Sequence, residues 1–274
     1  MKVALDSFSL PLTTPLSTAN GEITERRGFL LRVGEGPTGI GEAAPLPGWT
    51  ESREECRDTL TDAAAALRND ERATALETAS NTPAARHALS LALGDRMARR
   101  EGCPFSISLA SDARNSVPVN ATVGDADPHT TADRAAAAVE SGIRCVNLKV
   151  GVRSLGADVA RVRAAREAVS PDVALRADAN AAWDRQTARD ALSAFADHDV
   201  AYVEQPLAAD DLRGHADLRG GSVGIALDES LASAPISDAA AAADVLVLKP
   251  MALGGPDRVR EAAETARAAG ATPV

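Results

Sequence analysis

Aromatic residues make up only 3% of this 274-residue chain, and cysteine, lysine and histidine occur three, three and four times. The cysteines, Cys56, Cys103 and Cys145, are odd in number and far apart. They match neither a disulfide framework nor a zinc pattern, and idle thiols in a reducing compartment are the expectation. The histidines, His87, His129, His198 and His215, show no H-x-x-x-H or H-E-x-x-H spacing and are read as ordinary surface or core residues. No stretch approaches 18 uncharged apolar residues, so no membrane span is expected. The opening MKVALDSFSLPL carries Asp6 and lacks an apolar signal core, which predicts a cytoplasmic protein. Acidic side chains outnumber basic ones 39 to 29, for a formal charge of −10. That balance lacks the basic footprint needed for phosphate backbones and argues against a nucleic-acid partner.

What is present is a normal apolar content of 45%, arranged in periodic blocks, which excludes a disordered chain. Of the 29 basic residues 26 are arginine, the only lysines being Lys2, Lys149 and Lys249. Acid excess, arginine in place of lysine and alanine-rich helices suggest a salt-adapted or GC-rich source. Against that background the two internal lysines stand out.

Residues 1–48 read as short strands and turns, with apolar runs at Val3–Leu5 and Phe29–Val33 separated by a polar loop, Ser17–Arg27, and followed by a Gly/Pro-rich stretch. Ser52–Leu67 and Ala84–Arg99 have helical spacing, with Pro83 at a first helical position. This predicts an α+β capping domain over residues 1–110. From Val117 onward strands and helices alternate strictly: VPVNATV, CVNLKV, VALRAD, VAYVE, VGIALD and VLVLK are each followed by a helical segment, and the chain reaches ATPV, the opening of another strand. Six strand–helix units and a stub predict parallel strands in a (β/α)8-type barrel over 111–274, C-terminally incomplete at about the seventh strand. The doubly wound alternative lacks a G-x-G-x-x-G after the first strand.

In such a barrel, chemistry sits at the carboxyl ends of the strands. The polar residues there are Lys149, Asp178, Glu204, Asp228 and Lys249, at intervals of 29, 26, 24 and 21 residues. A lone carboxylate ending a strand is usually a helix N-cap or an ion-pair partner, and a lone lysine is usually solvated. Three carboxylates and two lysines on five successive strands, in a chain almost without lysine, are harder to explain that way. Gathered carboxylates repel unless a cation compensates them. All-oxygen ligation without histidine or cysteine suits Mg²⁺, with Mn²⁺ as a substitute. Lysine can titrate where arginine cannot, and is suited to removing a proton α to a carboxylate. The expected partner is therefore a small-molecule carboxylate substrate.

The motifs GEAAPLPG (41–48), LKVG (148–151), RADANAAW (176–183), VEQP (203–206), LDES (227–230) and LKP (248–250) together resemble the enolase superfamily and, within it, the o-succinylbenzoate synthases. Members of that superfamily pair a Lys or His base with Mg²⁺. The resemblance implies Asp178, Glu204 and Asp228 as Mg²⁺ ligands, Lys149 as the base and Lys249 as the cation across the pocket. It also implies Asn180 as a group holding the metal site in place, and the segments Ser17–Arg27 and Pro45–Trp49 as closing over substrate. The implied reaction is dehydration of 2-succinyl-6-hydroxy-2,4-cyclohexadiene-1-carboxylate to o-succinylbenzoate, a step of menaquinone biosynthesis. The K-x-K pattern usual in that family reads Asn147-x-Lys149 here. Racemisation of N-acylamino acids or epimerisation of dipeptides shares the proton abstraction and remains open. So does a non-catalytic fragment, since a barrel lacking its last strands would leave unpaired edges unless the natural chain is longer or a partner covers them.

Overall fold

The computed structural model describes residues 1–18 and 21–274. The chain divides into two compact units, Met1–Arg114 with Lys249–Ala262, and Asn115–Leu248 with Ala263–Val274.

The first unit opens with β1 (Val3–Thr18), β2 (Gly21–Val33) and β3 (Gly39–Ala43), an antiparallel sheet in the order β1-β2-β3. Four helices follow: α1 (Arg53–Arg68), α2 (Arg72–Thr78), α3 (Pro83–Glu101) and α4 (Phe105–Leu109). The two-residue period of a strand puts Phe29, Leu31 and Val33 on one face of β2, and all three are buried. They pack with Cys56, Leu60, Ala63 and Leu67 of α1 and with the alanine-rich face of α3. Small side chains let that helix approach closely. A Cβ on Gly41 would lie 1.9 Å from the Ala88 carbonyl oxygen, and one on Gly39 2.0 Å from that of Ala92, so both positions of β3 require glycine. α1 begins with a reciprocal cap, in which Ser52 accepts from the Glu55 amide and Glu55 accepts from the Ser52 amide.

Two expectations are corrected here. The polar loop expected over Ser17–Arg27 is ribbon: Leu16 pairs with Ile23 and Thr18 with Gly21, while Ala19 and Asn20 lie outside the described residues. A two-stranded ribbon satisfies its backbone through its own ladder, so polarity alone does not mark such a segment as loop. The Gly/Pro-rich stretch likewise contains β3, whose glycines serve close packing rather than turning.

In the second unit strands and helices alternate as β4 (Ala121–Val123), α5 (Pro128–Glu140), β5 (Cys145–Lys149), α6 (Leu155–Ala168), β6 (Ala174–Asp178), α7 (Arg185–Ala196), β7 (Val200–Glu204), α8 (Leu212–Leu218), β8 (Gly224–Leu227), α9 (Ile236–Ala242) and β9 (Val245–Leu246). α10 (Pro250–Leu253), α11 (Pro256–Ala268) and β10 (Thr272–Pro273) follow. The seven strands form one sheet in the order β10-β9-β8-β7-β6-β5-β4, every pair parallel. This is the α/β barrel-type architecture expected, with an antiparallel cap unit and the stub at ATPV pairing as a strand. Asp127 and Asp184 cap α5 and α7 by accepting from the Thr130 and Thr187 amides. Val146, Leu148, Leu175, Ala177, Val203, Ile225, Leu227 and Leu246 fill the sheet core. Among the described residues, no helix is long and apolar enough to cross a membrane.

Within the first unit, Arg86 of α3 donates to the Gly254 carbonyl at 2.6 Å and makes a forked contact with Asp257 at 3.0 and 2.7 Å, while Ser90 donates to the same carboxylate at 2.5 Å. Burial pushes the Asp257 carboxyl up, but the bonds from Arg86 and Ser90 outweigh it and hold the pKa at about 2. A carboxyl held low in the folded state contributes stability above its unfolded pKa, near 4, that is lost as pH falls through about 2. Urea midpoints of the parent and Asp257→Asn proteins should therefore differ at pH 6 and converge as pH drops from about 4 towards 2. A difference that does not shrink over that range would assign the stabilisation to packing instead.

Candidate active site

Parallel pairing aligns the ends of three neighbouring strands. Lys149 ends β5 opposite Asp178, which ends β6, and Asp178 stands opposite Glu204, which ends β7. Neighbouring strands lie about 4.8 Å apart, and residues in register share a face. Asp228 follows the last residue of β8 directly. All three carboxylates are buried, with 3%, 8% and 2% of the surface of Asp178, Glu204 and Asp228 exposed.

The Lys149 ammonium donates to Asp178 Oδ2 at 2.5 Å and to Asn180 Oδ1 at 2.8 Å. The other oxygen of Asp178 accepts from the Asn180 backbone amide at 3.0 Å, and Asn180 Nδ2 donates to Glu229 Oε1 at 3.1 Å. Asn180 thus links the lysine, the Asp178 carboxylate and Glu229, the residue after Asp228.

The backbone here is held in an uncommon conformation. Asn180, Ala181 and Gln205 have φ of +43°, +62° and +41°, where a non-glycine residue costs of order 1–3 kcal/mol. Cross-strand bonds hold these turns in place: Ala179 donates to the Glu204 carbonyl at 3.0 Å, and Ala181 to that of Gln205 at 2.7 Å. The Gln205 side chain, fully buried, then reaches the β8 exit. Its Oε1 accepts from the Asp228 and Ser230 amides at 3.1 and 3.2 Å, while Nε2 donates to Ser230 Oγ at 2.8 Å and the Leu207 carbonyl at 3.1 Å. His215 closes this network, with Nε2 accepting from the Leu207 amide at 3.3 Å and Nδ1 placed 2.9 Å from the Asp211 carbonyl. Burial lowers its pKa, so the neutral tautomer protonated at Nδ1 suits both contacts.

The structure therefore brings Lys149, Asp178 and Asn180 into direct contact, sets Glu204 beside Asp178 in register, and ties the Asp228 backbone to Gln205. Among the described residues, no group of three His, Cys, Asp or Glu side chains is arranged to hold a metal ion; an oxygen of Asp178 is directed at Lys149. The donor chemistry nonetheless fits a hard divalent cation, since three buried carboxylates on adjacent strand ends supply oxygen alone. Asp178, Glu204 and Asp228 are the residues that could hold it. Lys249, three residues beyond β9, caps α10 and belongs to the first unit, where its ammonium stands 3.8 Å from the centroid of the Trp49 ring. That distance is within reach of a cation–π attraction.

Sequence reasoning did not single out Gln205, Glu229 or Trp49. The Q of VEQP and the E of LDES sit beside nominated residues and could have been found by adjacency; the Lys249–Trp49 contact joins positions 200 residues apart and leaves no local signal. Asn147 shares a strand face with Lys149, two residues on, and among the described residues its buried Oδ1 has no hydrogen-bond partner.

Residues 130–273 match the family described as "Enolase C-terminal domain-like", and residues 1–96 match "MenC, N-terminal domain". The chain is 27% identical to N-succinyl-L-Arg/Lys racemase of Bacillus cereus over 84% of its length and 66% of the racemase. It is 41% identical to o-succinylbenzoate synthase of Thermobifida fusca over 52% of its length and 45% of that enzyme. Among solved structures, dipeptide epimerase from Enterococcus faecalis in complex with Mg and the dipeptide L-Leu-L-Tyr superposes with a TM-score of 0.89 at 28% identity, covering 99% of this chain and 80% of the epimerase. The matched stretches thus span less than two thirds of either curated relative.

Replacing Gln205 by Leu keeps the volume but leaves the Asp228 and Ser230 amides and the Leu207 carbonyl without this partner. At about 1–3 kcal/mol for each buried group left unsatisfied, urea unfolding should show a loss of about 3 kcal/mol or more. A loss under about 1 kcal/mol would mean that the network is replaceable.

Proposed function

The chain belongs to the enolase superfamily, and on that premise we propose that it dehydrates 2-succinyl-6-hydroxy-2,4-cyclohexadiene-1-carboxylate to o-succinylbenzoate with Mg²⁺ as cofactor. The observation that carries the chemistry is the Lys149 ammonium held by Asp178 and Asn180 at the end of β5. Lys149, as the free amine, takes the proton from the ring carbon bearing the carboxylate. The bond to the neighbouring hydroxyl then breaks, and the proton held on Lys149 is available to the departing hydroxide on the same face, so that water leaves and the ring becomes aromatic. A divalent cation held by Asp178, Glu204 and Asp228 would supply positive charge to the carboxylate oxygens as the enediolate develops. Asn180 keeps the Lys149 amine and the Asp178 carboxylate in fixed relation, and Lys249 is the second ammonium in this reading.

The choice among superfamily reactions rests on the match of residues 1–96 to the MenC N-terminal family and on the 41% identity to the Thermobifida enzyme. A second reading, racemisation or epimerisation of an N-acylamino acid or dipeptide, draws support from the likeness to the dipeptide-bound epimerase and from the B. cereus racemase. It needs two bases, and Lys149 and Lys249 are the candidates.

Lys149→Ala and Lys149→Arg should each lower the rate of o-succinylbenzoate formation, followed by absorbance in the presence of Mg²⁺, by about 10²–10⁴-fold with little change in thermal midpoint. Substantial activity in Lys149→Arg would remove the lysine from the base role. Incubation with N-succinylamino acids in D₂O separates the two readings: deuterium at Cα with loss of optical activity, and no aromatic product from the cyclohexadiene, would favour the racemase.

A further inference from the structure

We infer that the buried Asp158–Arg161 ion pair is a positioning device that fixes the backbone carrying Lys149. The inference rests on Lys149 being the base. Both residues lie on α6, one turn apart, and their side chains are 0% and 1% exposed, with Arg161 Nη1 2.9 Å from Asp158 Oδ1. Burying such a pair is expensive, and apolar replacements of similar volume are often as stable or more so. Stability alone is therefore a weak reason for its presence, and what the pair touches suggests another.

Arg161 spends its fork of donors on groups around the strand ends. Nη1 also donates to the Lys149 carbonyl at 2.8 Å, Nη2 to the Gly124 carbonyl just beyond β4 at 2.9 Å, and Nε to Thr131 Oγ1 of α5 at 3.3 Å. Asp158 directs its remaining oxygen at the Gly151 amide, which donates to it at 2.8 Å. The Lys149 carbonyl and the Gly151 amide flank Val150, whose own amide donates to the Asp178 carbonyl at 2.9 Å. The three residues at the exit of β5 are thus held by α6 on one side and β6 on the other, and β4 is tied to the same guanidinium. Gly151 has φ of +89°, and a Cβ there would come within 2.7 Å of Ala182 Cβ, so this exit has little room to relax. A lysine side chain has large rotamer freedom; an error in the position of its Cα is carried to the amine, and a displacement of 1 Å at a reacting group costs about 10²-fold in rate.

The test uses the full chain with Arg161→Lys, which keeps the charge but cannot reach the Lys149 carbonyl, the Gly124 carbonyl and Thr131 together. It also uses the double replacement Asp158→Leu/Arg161→Met, which removes both charges and avoids stranding either one. Lys149→Ala is measured beside them. Two readouts are taken: kcat and KM for o-succinylbenzoate formation, and amide hydrogen exchange across residues 145–153, which needs no substrate. The expected result in both folded variants is a kcat about 10–100-fold lower with KM within about twofold of the parent, and faster exchange at Gly151 without a matching rise elsewhere in the sheet. A folded double variant with parental kcat would overturn the inference, as would faster exchange spread evenly over the second unit, which marks a purely structural pair. If Lys149→Ala itself turns over at the parental rate, the base reading fails first and the positioning role falls with it; loss of activity in Lys149→Ala with parental kcat in the double variant would sink the positioning role alone.

Discussion

The constraint on which the site depends is the parallel register of β5, β6 and β7. Because Lys149 pairs with Asp178 and Asp178 with Glu204, three residues separated by 29 and 26 positions in sequence reach the same edge of one sheet and the same face. A register slip of one residue on any of these strands would send its polar end residue to the opposite face, among the helices. The helix N-caps help to hold that register, since Asp127 and Asp184 fix the start of the helices that return the chain to β5 and β7.

The strand exits are as organised as the strands. The left-handed turns at Asn180, Ala181 and Gln205 are maintained by bonds between successive exits, and two buried polar hubs stand behind them. Gln205 with His215 and Ser230 braces the exit of β8, and Asp158 with Arg161 braces that of β5. Both hubs point their polar atoms at backbone amides and carbonyls. The acidic and basic residues that face the chemistry are thereby placed by neighbours that do not themselves take part in it, a division of labour common where geometry must be held to fractions of an ångström.

Asn147 bears on the choice of substrate. It stands on the same face of β5 as Lys149, where the resembling family carries a second lysine, and its buried Oδ1 has no partner among the described residues. Replacing an ammonium by an amide at that place removes a charge and introduces an acceptor, which favours a different group on the bound molecule. The dehydratase and racemase readings share their first proton transfer, so this kind of difference, rather than the base or the cation ligands, is where they part.

Much of this was legible in the chain alone. Strand and helix alternation after Val117, the parallel architecture and the placing of Lys149, Asp178, Glu204 and Asp228 at strand ends follow from apolar runs of fixed length ending in a single polar residue, because a strand buried on both faces leaves few other positions for charge. The hairpin over residues 17–27 and strand β3 were not legible, since their polar and glycine-rich residues are satisfied by a ladder with segments elsewhere in the chain. The contacts of Arg161 with Gly124, of Gln205 with Ser230 and of Lys249 with Trp49 bridge 37, 25 and 200 positions. Local periodicity tells which face a residue occupies; which distant partner meets it there is decided by the packing of whole elements, and only the tertiary structure contains that information.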